Sequence, residues 1–383
     1  MQSSRLPKGV RGILIHFADL KDPRVVGRCD YSLPSILVIA LLGVLCGIEG
    51  WSDLAAFAKT KWPWLRTFLD VPEAPPGEGV FRRVFSAIRP TAFEACMRAW
   101  VQSLAEPLEG QVVAFDGKAL RGAIARAFGR TALHQVHAWV GKQRLLLAQR
   151  AVAGAPEEGE AIRTMLETLE LTGAIVTLDA GNASTETVQT IVEAEADYVI
   201  TVKGNRRKLH GALRDFFTEA AARSFKGIKV TYQVTQERGH GRDEIRKVWA
   251  VPASALGEMA AYWPSMQSIV MIERTRVLAD GTIQQWTHYY ASSLPPRVRR
   301  LAAVIREHWG VENGLHWALD VQMGEDDCPV RDAHGATNLA LLRRIALMLI
   351  KREVGSKKSV RLKQKMAGWD NDFLLHLLTR GIA

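Results

Sequence analysis

The sequence predicts an α/β protein: a mixed sheet carrying a β-rich insertion, preceded by an all-helical N-terminal domain. Three observations predict it. Apolar residues recur at helical spacing up to about residue 110 and at strand spacing from Gln111 onward. Three strand-like runs then follow one another before any helix intervenes, and only afterwards do helix and strand alternate. Two of the apolar runs end in an aspartate.

Residues 1–110 read as helices at Pro34–Ile48, Trp51–Leu69 and Phe81–Leu104, the last two separated by Pro72, Pro75, Pro76, Gly77 and Gly79. Ser52 and Asp53 are candidate caps for the second helix. The apolar run Ile36–Ile48 covers 13 residues and ends in Glu49, Gly50 and Trp51. A membrane span needs roughly 20 residues, so the run is expected to be a buried helix. Arg5, Lys8 and Arg11 have no apolar stretch behind them, so no signal peptide is expected.

From Gln111 the chain changes character. Val112–Phe115 is a short apolar run ending at Asp116-Gly117, followed by strand-like runs at Val136–Val140 and Leu145–Ala151. A helix over Glu160–Leu169 leads to Ala174–Leu178, which ends at Asp179. A second helix, Thr185–Ala194, leads to a strand at Tyr198–Val202. Strand, strand, strand, helix, strand, helix, strand is the order of a ribonuclease H-like sheet, whereas a doubly wound dinucleotide fold alternates from its start.

Four further strand-like runs (Lys229–Gln236, Glu244–Val251, Ser268–Arg276 and Gln285–Ala291) form the insertion, residues 228–293, inside the core of a catalytic domain spanning 111–383. Helix returns at Arg297 and continues through Glu312, and another helix covers Ala333–Lys351. Residues 351–383 form a basic helical tail, with seven Lys or Arg against one Glu in its first 15 residues. Such a run is ordinarily a solvated face, and here it adds to the case for a polyanionic partner.

Composition narrows the class. Hydrophobic residues make up 48% and charged residues 23%, values of a globular protein, and 50 Lys and Arg face 40 Asp and Glu. That basic excess is compatible with nucleic acid. The four cysteines are scattered without a C-x-x-C pair, against a zinc ribbon or disulfide framework and in keeping with a cytoplasmic location. No G-x-x-x-x-G-K-[ST] and no G-x-S-x-G occurs.

Chemistry concentrates at two places. In an open α/β sheet functional groups gather at the carboxyl ends of strands, where Asp116 and Asp179 stand. If their strands are neighbours, the two carboxylates face one another and repel unless a divalent cation lies between them. Hard oxygen ligands suit Mg²⁺, with Mn²⁺ as a substitute. Asp-Gly is also a turn pair, and from these two residues alone the structural and functional readings are even.

The second place is Arg306–Asp320. Its His308, Glu312 and His316 lie four apart and share a helical face. A carboxylate from that helix completes a three-acid site able to hold two metals roughly 3.5–4 Å apart. Zinc is disfavoured: the segment is not H-E-x-x-H, and its three side chains span about 12 Å of helical rise. His308 and His316 are left to orient Glu312, to touch phosphate or to pack.

These residues resemble the ISAs-type, or H-repeat-associated, DDE transposases of bacterial insertion sequences. The resemblance runs through Asp22-Pro23-Arg24 and Gly50-Trp51, through Phe115–Gly122 and Gly173–Ala180, and through Ala196–Val199 with Lys203-Gly204-Asn205. It continues in Gly239-His240-Gly241-Arg242 with Glu244 and Arg246, in His308–Val321 with Glu325-Asp326, and in Asn338–Ala346. It implies an acid triad of Asp116, Asp179 and Glu312 and metal-dependent cleavage and transfer of double-stranded DNA, at element ends and target, by a homodimer on the DNA. The helical residues 1–110 are then the candidate for binding element ends or for dimerisation. Lys118, Arg121, Lys203, Asn205, His240, Arg242, His308, Trp309, Asn313, His316 and Trp317 are the candidate DNA contacts, the tryptophans by stacking on an unpaired base or else packing in the core.

Four positions depart from the family pattern. Asp-Ala-x-x-Cys-Gln is here Asp179–Ser184, Lys-Ser-Asn-Glu is Glu157–Glu160, and Ser-x-x-Thr-Phe-x-Arg is Gly77–Arg83. The arginine that related groups place four residues before the catalytic glutamate is His308. None removes a carboxylate.

Overall fold

A computed structural model describes residues 6–25, 27–119, 134–239 and 242–380. Arg121 and His240 lie outside the described residues, as does the side chain of Arg242.

The N-terminal helices are α1 (Lys8–His16), α2 (Leu33–Leu45), α3 (Trp51–Leu65), α4 (Glu78–Ala87) and α5 (Pro90–Leu104). Helix α2 starts at Ser32, whose Oγ accepts the Ser35 N–H at 3.3 Å, with Pro34 in its first turn. Every residue of α2 except Pro34 is buried, so the apolar run is a core helix. Among the described residues no helix is long and apolar enough to cross a membrane.

Three local expectations differ. The single helix expected over Phe81–Leu104 is two, because Pro90 forces Arg89 into extended backbone (ψ 122°). Gly50, rather than Ser52 or Asp53, precedes α3, and Asp53 sits uncapped in its first turn. Helix α1 had no counterpart in the sequence reading.

The sheet follows the expected order. β1 (Val112–Ala119), β2 (His134–Val140) and β3 (Leu145–Val152) come in succession. Then α6 (Glu158–Thr168), β4 (Ile175–Leu178), α7 (Thr185–Glu193) and β5 (Asp197–Val202) alternate. An unanticipated helix, α8 (Arg207–Ala222), precedes β6 (Thr231–Gly239), β7 (Arg242–Pro252), β8 (Ser268–Leu278) and β9 (Ile283–Ser292). Among the described residues all nine strands form one mixed sheet in the order β3-β2-β1-β4-β5-β9-β8-β7-β6. β1 is antiparallel to β2 and parallel to β4, giving the ribonuclease H-like core. The insertion extends that sheet through the antiparallel β5–β9 pair.

Two layers cover the sheet. On one face α9 (Val298–His308) buries Leu301, Val304 and Ile305 against Val112, Ile175, Val199 and Val270. Residues of the opposite face, among them Val113, Val176 and Ile200, join a larger core with α6, α7 and α8. That core runs on into the N-terminal helices and α10 (Ala333–Arg352), which packs against α2, α4 and α5. The basic tail folds into α11 (Val360–Trp369) and α12 (Asn371–Arg380), with Lys363 buried in an ion pair to Glu353 at 2.8 Å.

Candidate active site

Strand register brings the first two acids together. Phe115 of β1 pairs in parallel with Leu178 of β4, so the next residues along, Asp116 and Asp179, stand side by side at the end of the pairing. Asp116-Gly117 is no turn: β1 runs on to Ala119 because β2 continues to pair with it, Asp116 opposite His137 and Lys118 opposite Gln135. Successive strand side chains point to opposite faces. Asp116 therefore shares the face of Val112, beneath α9. Asp116 Oδ1 accepts the Gly117 N–H at 3.0 Å, and Asp179 Oδ1 accepts the Asn182 N–H at 3.3 Å and its Nδ2 at 3.4 Å. Burial pushes the Asp116 carboxyl up to about 7, the charge of Asp179 pushes the same way, and Glu158 and Glu312 add to it.

Helix α9 delivers Glu312 but does not remain α-helical. After His308 the backbone continues into two wide π turns, Glu312–His316 and Ala318–Gln322, a geometry that recurs at functional sites. The expected common face of His308, Glu312 and His316 is accordingly divided. His308 is buried, with Nδ1 2.9 Å from Thr177 Oγ1 of β4. His316 is buried between His137 (Nε2 to Nδ1, 3.1 Å) and Asp116 (Nδ1 to Oδ2, 3.5 Å). Glu312 is exposed, near enough to bear on the Asp116 charge. Burial drives both His308 and His316 down to about 4, so they are neutral anchors of this segment rather than cationic phosphate contacts.

The other candidates divide as well. Lys118 was expected at phosphate. It is buried instead, with Nζ on Asp320 and, at 2.9 Å, on Glu325. Glu325 also pairs with the buried Arg344 at 2.9 Å. An ammonium taken out of water needs such carboxylates, and their attraction holds it away from solvent. Lys203 is exposed, and Asn205 donates to the carbonyl of Ala180, fastening the loop that follows Asp179. Trp309 and Trp317 are exposed at 46% and 49%, so neither is a core residue, and Asn313 beside Glu312 is exposed too.

One acid was missed. Glu158, the first residue of α6, accepts from His134 Nδ1 at 2.8 Å and from Asn182 Nδ2 at 3.2 Å. Nothing in the run Glu157–Glu160 separates it from its acidic neighbours. The available hint was positional, an acid opening the helix after the third strand.

The donors suit a hard divalent cation in kind. Asp116, Asp179, Glu158 and Glu312 are all oxygen donors, and among the described residues none is paired with a lysine or arginine, in contrast to Asp320 and Glu325. Beyond burial, the negative charges of Asp179, Glu158 and Glu312 all raise the Asp116 carboxyl, an excess that a cation would offset. Among the described residues no three His, Cys, Asp or Glu stand as a metal-holding group.

Residues 107–349 match the family model described as the transposase DDE domain, and residues 14–101 match the model described as DDE_Tnp_1-associated. The chain belongs to the DDE transposase family. Similar proteins include an H repeat-associated putative transposase, YhhI, and the putative protein YbfL, both of Escherichia coli strain K12. Each is 28% identical over 96% of this chain and 98% of its own length. An uncharacterized protein in the dhlA 3′ region of Xanthobacter autotrophicus is 37% identical over 68% of this chain and 88% of its own. As a DDE transposase the chain falls in a DNA-cleaving class whose domain generally uses divalent metal.

Proposed function

We propose that this transposase cuts DNA at the ends of an insertion sequence and joins the freed ends to target DNA, with Asp116, Asp179 and Glu312 holding Mg²⁺ or Mn²⁺. The observation that carries the reading is the β1–β4 register, which sets Asp116 beside Asp179 under the helix that leads to Glu312. Divalent cations held there by Asp116, Asp179 and Glu312 would supply charge stabilisation to the oxygens of phosphoryl transfer. In cleavage, water attacks the phosphodiester, the phosphate keeps the new oxygen, and the 3′-hydroxyl leaves. In joining, that 3′-hydroxyl attacks a target phosphodiester and displaces the target strand's own 3′-oxygen.

The protein's part is placement. Asp116 and Asp179 are fixed by backbone N–H groups and strand register, and Glu312 by the buried anchors His308 and His316 on either side of it. The exposed Trp309, Asn313 and Trp317 border Glu312, where stacking on an unpaired base is available. Residues 1–110 we assign to element-end binding or to dimerisation of a homodimer on DNA.

The test is cleavage and strand transfer on a labelled duplex bearing the element end with its flank, in Mg²⁺ or Mn²⁺. Wild type should cut and join. Asp116→Asn, Asp179→Asn and Glu312→Gln should bind the duplex and lose about a hundred- to a thousandfold in rate, as removal of a main transition-state contact does. Cutting without joining would point to a nuclease. Binding without cutting under either metal would point to a DNA-binding relic.

A further inference from the structure

Asp116 and Asp179 lie under α9, from whose side Glu312 approaches. Gly117, next along β1, faces the other way. The space its missing side chain leaves is filled by the Glu158 carboxylate. A Cβ on Gly117 would lie 2.3 Å from Glu158 Oε1 and 2.6 Å from Oε2, closer than any real contact. Glu158 thus reaches the aspartates from the face opposite Glu312.

Its surroundings hold it there with no lysine or arginine paired to it among the described residues. One oxygen accepts from His134 Nδ1 of β2, the other from Asn182 Nδ2. The same Asn182 amide also reaches Asp179 Oδ1, so the Glu158 and Asp179 carboxylates stand within two hydrogen-bond lengths of each other. Each carboxylate oxygen has two lone pairs, and each oxygen of Glu158 has one partner among the described residues. Where the fold neutralises an acid, as at Glu325, it uses Lys118 and Arg344. At Glu158 it uses an imidazole and an amide.

We propose that Glu158 is a fourth carboxylate of the metal site, ligating a divalent cation together with Asp179 and Asp116, and that Gly117 is glycine to admit it. This rests on the metal-dependent reading above and extends it by one ligand, from a part of the chain outside the Asp, Asp, Glu triad. Asn182 and His134 act as positioning residues that aim the carboxylate.

Binding of Mn²⁺ alone to the full chain, with free Mn²⁺ counted by electron paramagnetic resonance, gives a readout that needs no DNA and no turnover. Glu158→Gln keeps the shape and the Asn182 contact, and Gly117→Ala leaves Glu158 intact but pushes its carboxylate out of place. Each should weaken Mn²⁺ binding by about tenfold or more, the scale on which metal-site neighbours act, with circular dichroism and melting showing folded protein. Asp179→Asn serves as the reference loss. If wild type and Asp179→Asn differ while both Glu158→Gln and Gly117→Ala bind like wild type, the fourth ligand is wrong and the triad stands. If wild type itself binds no Mn²⁺, the metal reading and this extension fall together.

Discussion

The Asp116 carboxyl titrates near 7 instead of near 3.8 because it is buried and because Asp179 stands beside it. A group whose folded-state affinity for protons is raised leaves the folded chain holding a proton that the unfolded chain has released. Between pH 3.8 and 7 the metal-free protein should therefore lose stability as pH rises, and the loss should be complete above 7. Asp116→Asn removes that titration. In EDTA it should be more stable than wild type at pH 8 by about 1–3 kcal/mol and show no such gain at pH 4. The bound is roughly 4 kcal/mol for the whole displacement, lowered because 25% of the side chain meets solvent. Urea unfolding at the two pH values decides it, and an equal gain at both would refute the assignment. The adjacency of Asp116 and Asp179 was legible in the sequence because each follows an apolar strand-like run, and the fold pairs those two runs in parallel. Lys118 was misread because its partner Glu325 lies 207 residues away, a distance over which no spacing pattern operates. Glu158 was passed over for the same reason: its neighbours Gly117 and Asn182 become neighbours only in the folded sheet.

At the scale of elements, the strands were readable because a half-buried or buried strand writes its period into the sequence. The four insertion strands were recovered within a few residues of their ends. Helix α8 carried an equally plain signal, with Leu209, Leu213, Phe217 and Ala220 all buried along one stripe, and could have been found by the same rule. The π turns around Glu312 were not readable, since a helical spacing of four suits both backbones. Their consequence is that Glu312 depends on anchors beside it rather than on a regular helix. His308, four residues earlier, is tied to the strand that leads to Asp179 by its hydrogen bond with Thr177. Thr177→Val keeps the branched shape and removes that hydroxyl, leaving a buried imidazole nitrogen unsatisfied. The expected cost is about 1–3 kcal/mol of stability. With Glu312 in the proposed metal site, a fall of about tenfold or more in cleavage rate, with DNA affinity unchanged, is expected as well, because the partner that fixes the segment leading to it is lost. A variant that is destabilised yet cleaves at the wild-type rate would separate Glu312 placement from this anchor.

Taken whole, the molecule does not divide where its sequence does. The helical pattern stops near residue 110, and the two family matches meet between residues 101 and 107. The packing ignores that seam. Helix α10, which follows the segment carrying Glu312, is buried along almost its entire length and lies against α2, α4 and α5. Asn338 donates from Nδ2 to the carbonyls of Phe85 and Ile88 at 2.8 and 2.9 Å, satisfying the end of α4, and Arg343 donates to the carbonyl of Glu49 at 2.9 Å. Helix α12 closes the same layer against α1. Buried polar groups of this kind are costly to strand, and Leu339, Leu342 and Ala346 of the same helix are buried in the core that includes the N-terminal helices. A chain starting at residue 105 would keep the complete sheet and all four carboxylates yet expose this helical layer. It should bind a hydrophobic dye, lose a cooperative melt and aggregate, whereas co-expression with residues 1–104 as a separate chain should restore a soluble two-piece protein. A well-dispersed amide spectrum and a sharp melt from the shortened chain alone would show that the catalytic sheet folds independently. The N-terminal helices would then be free to act as a separate module on DNA.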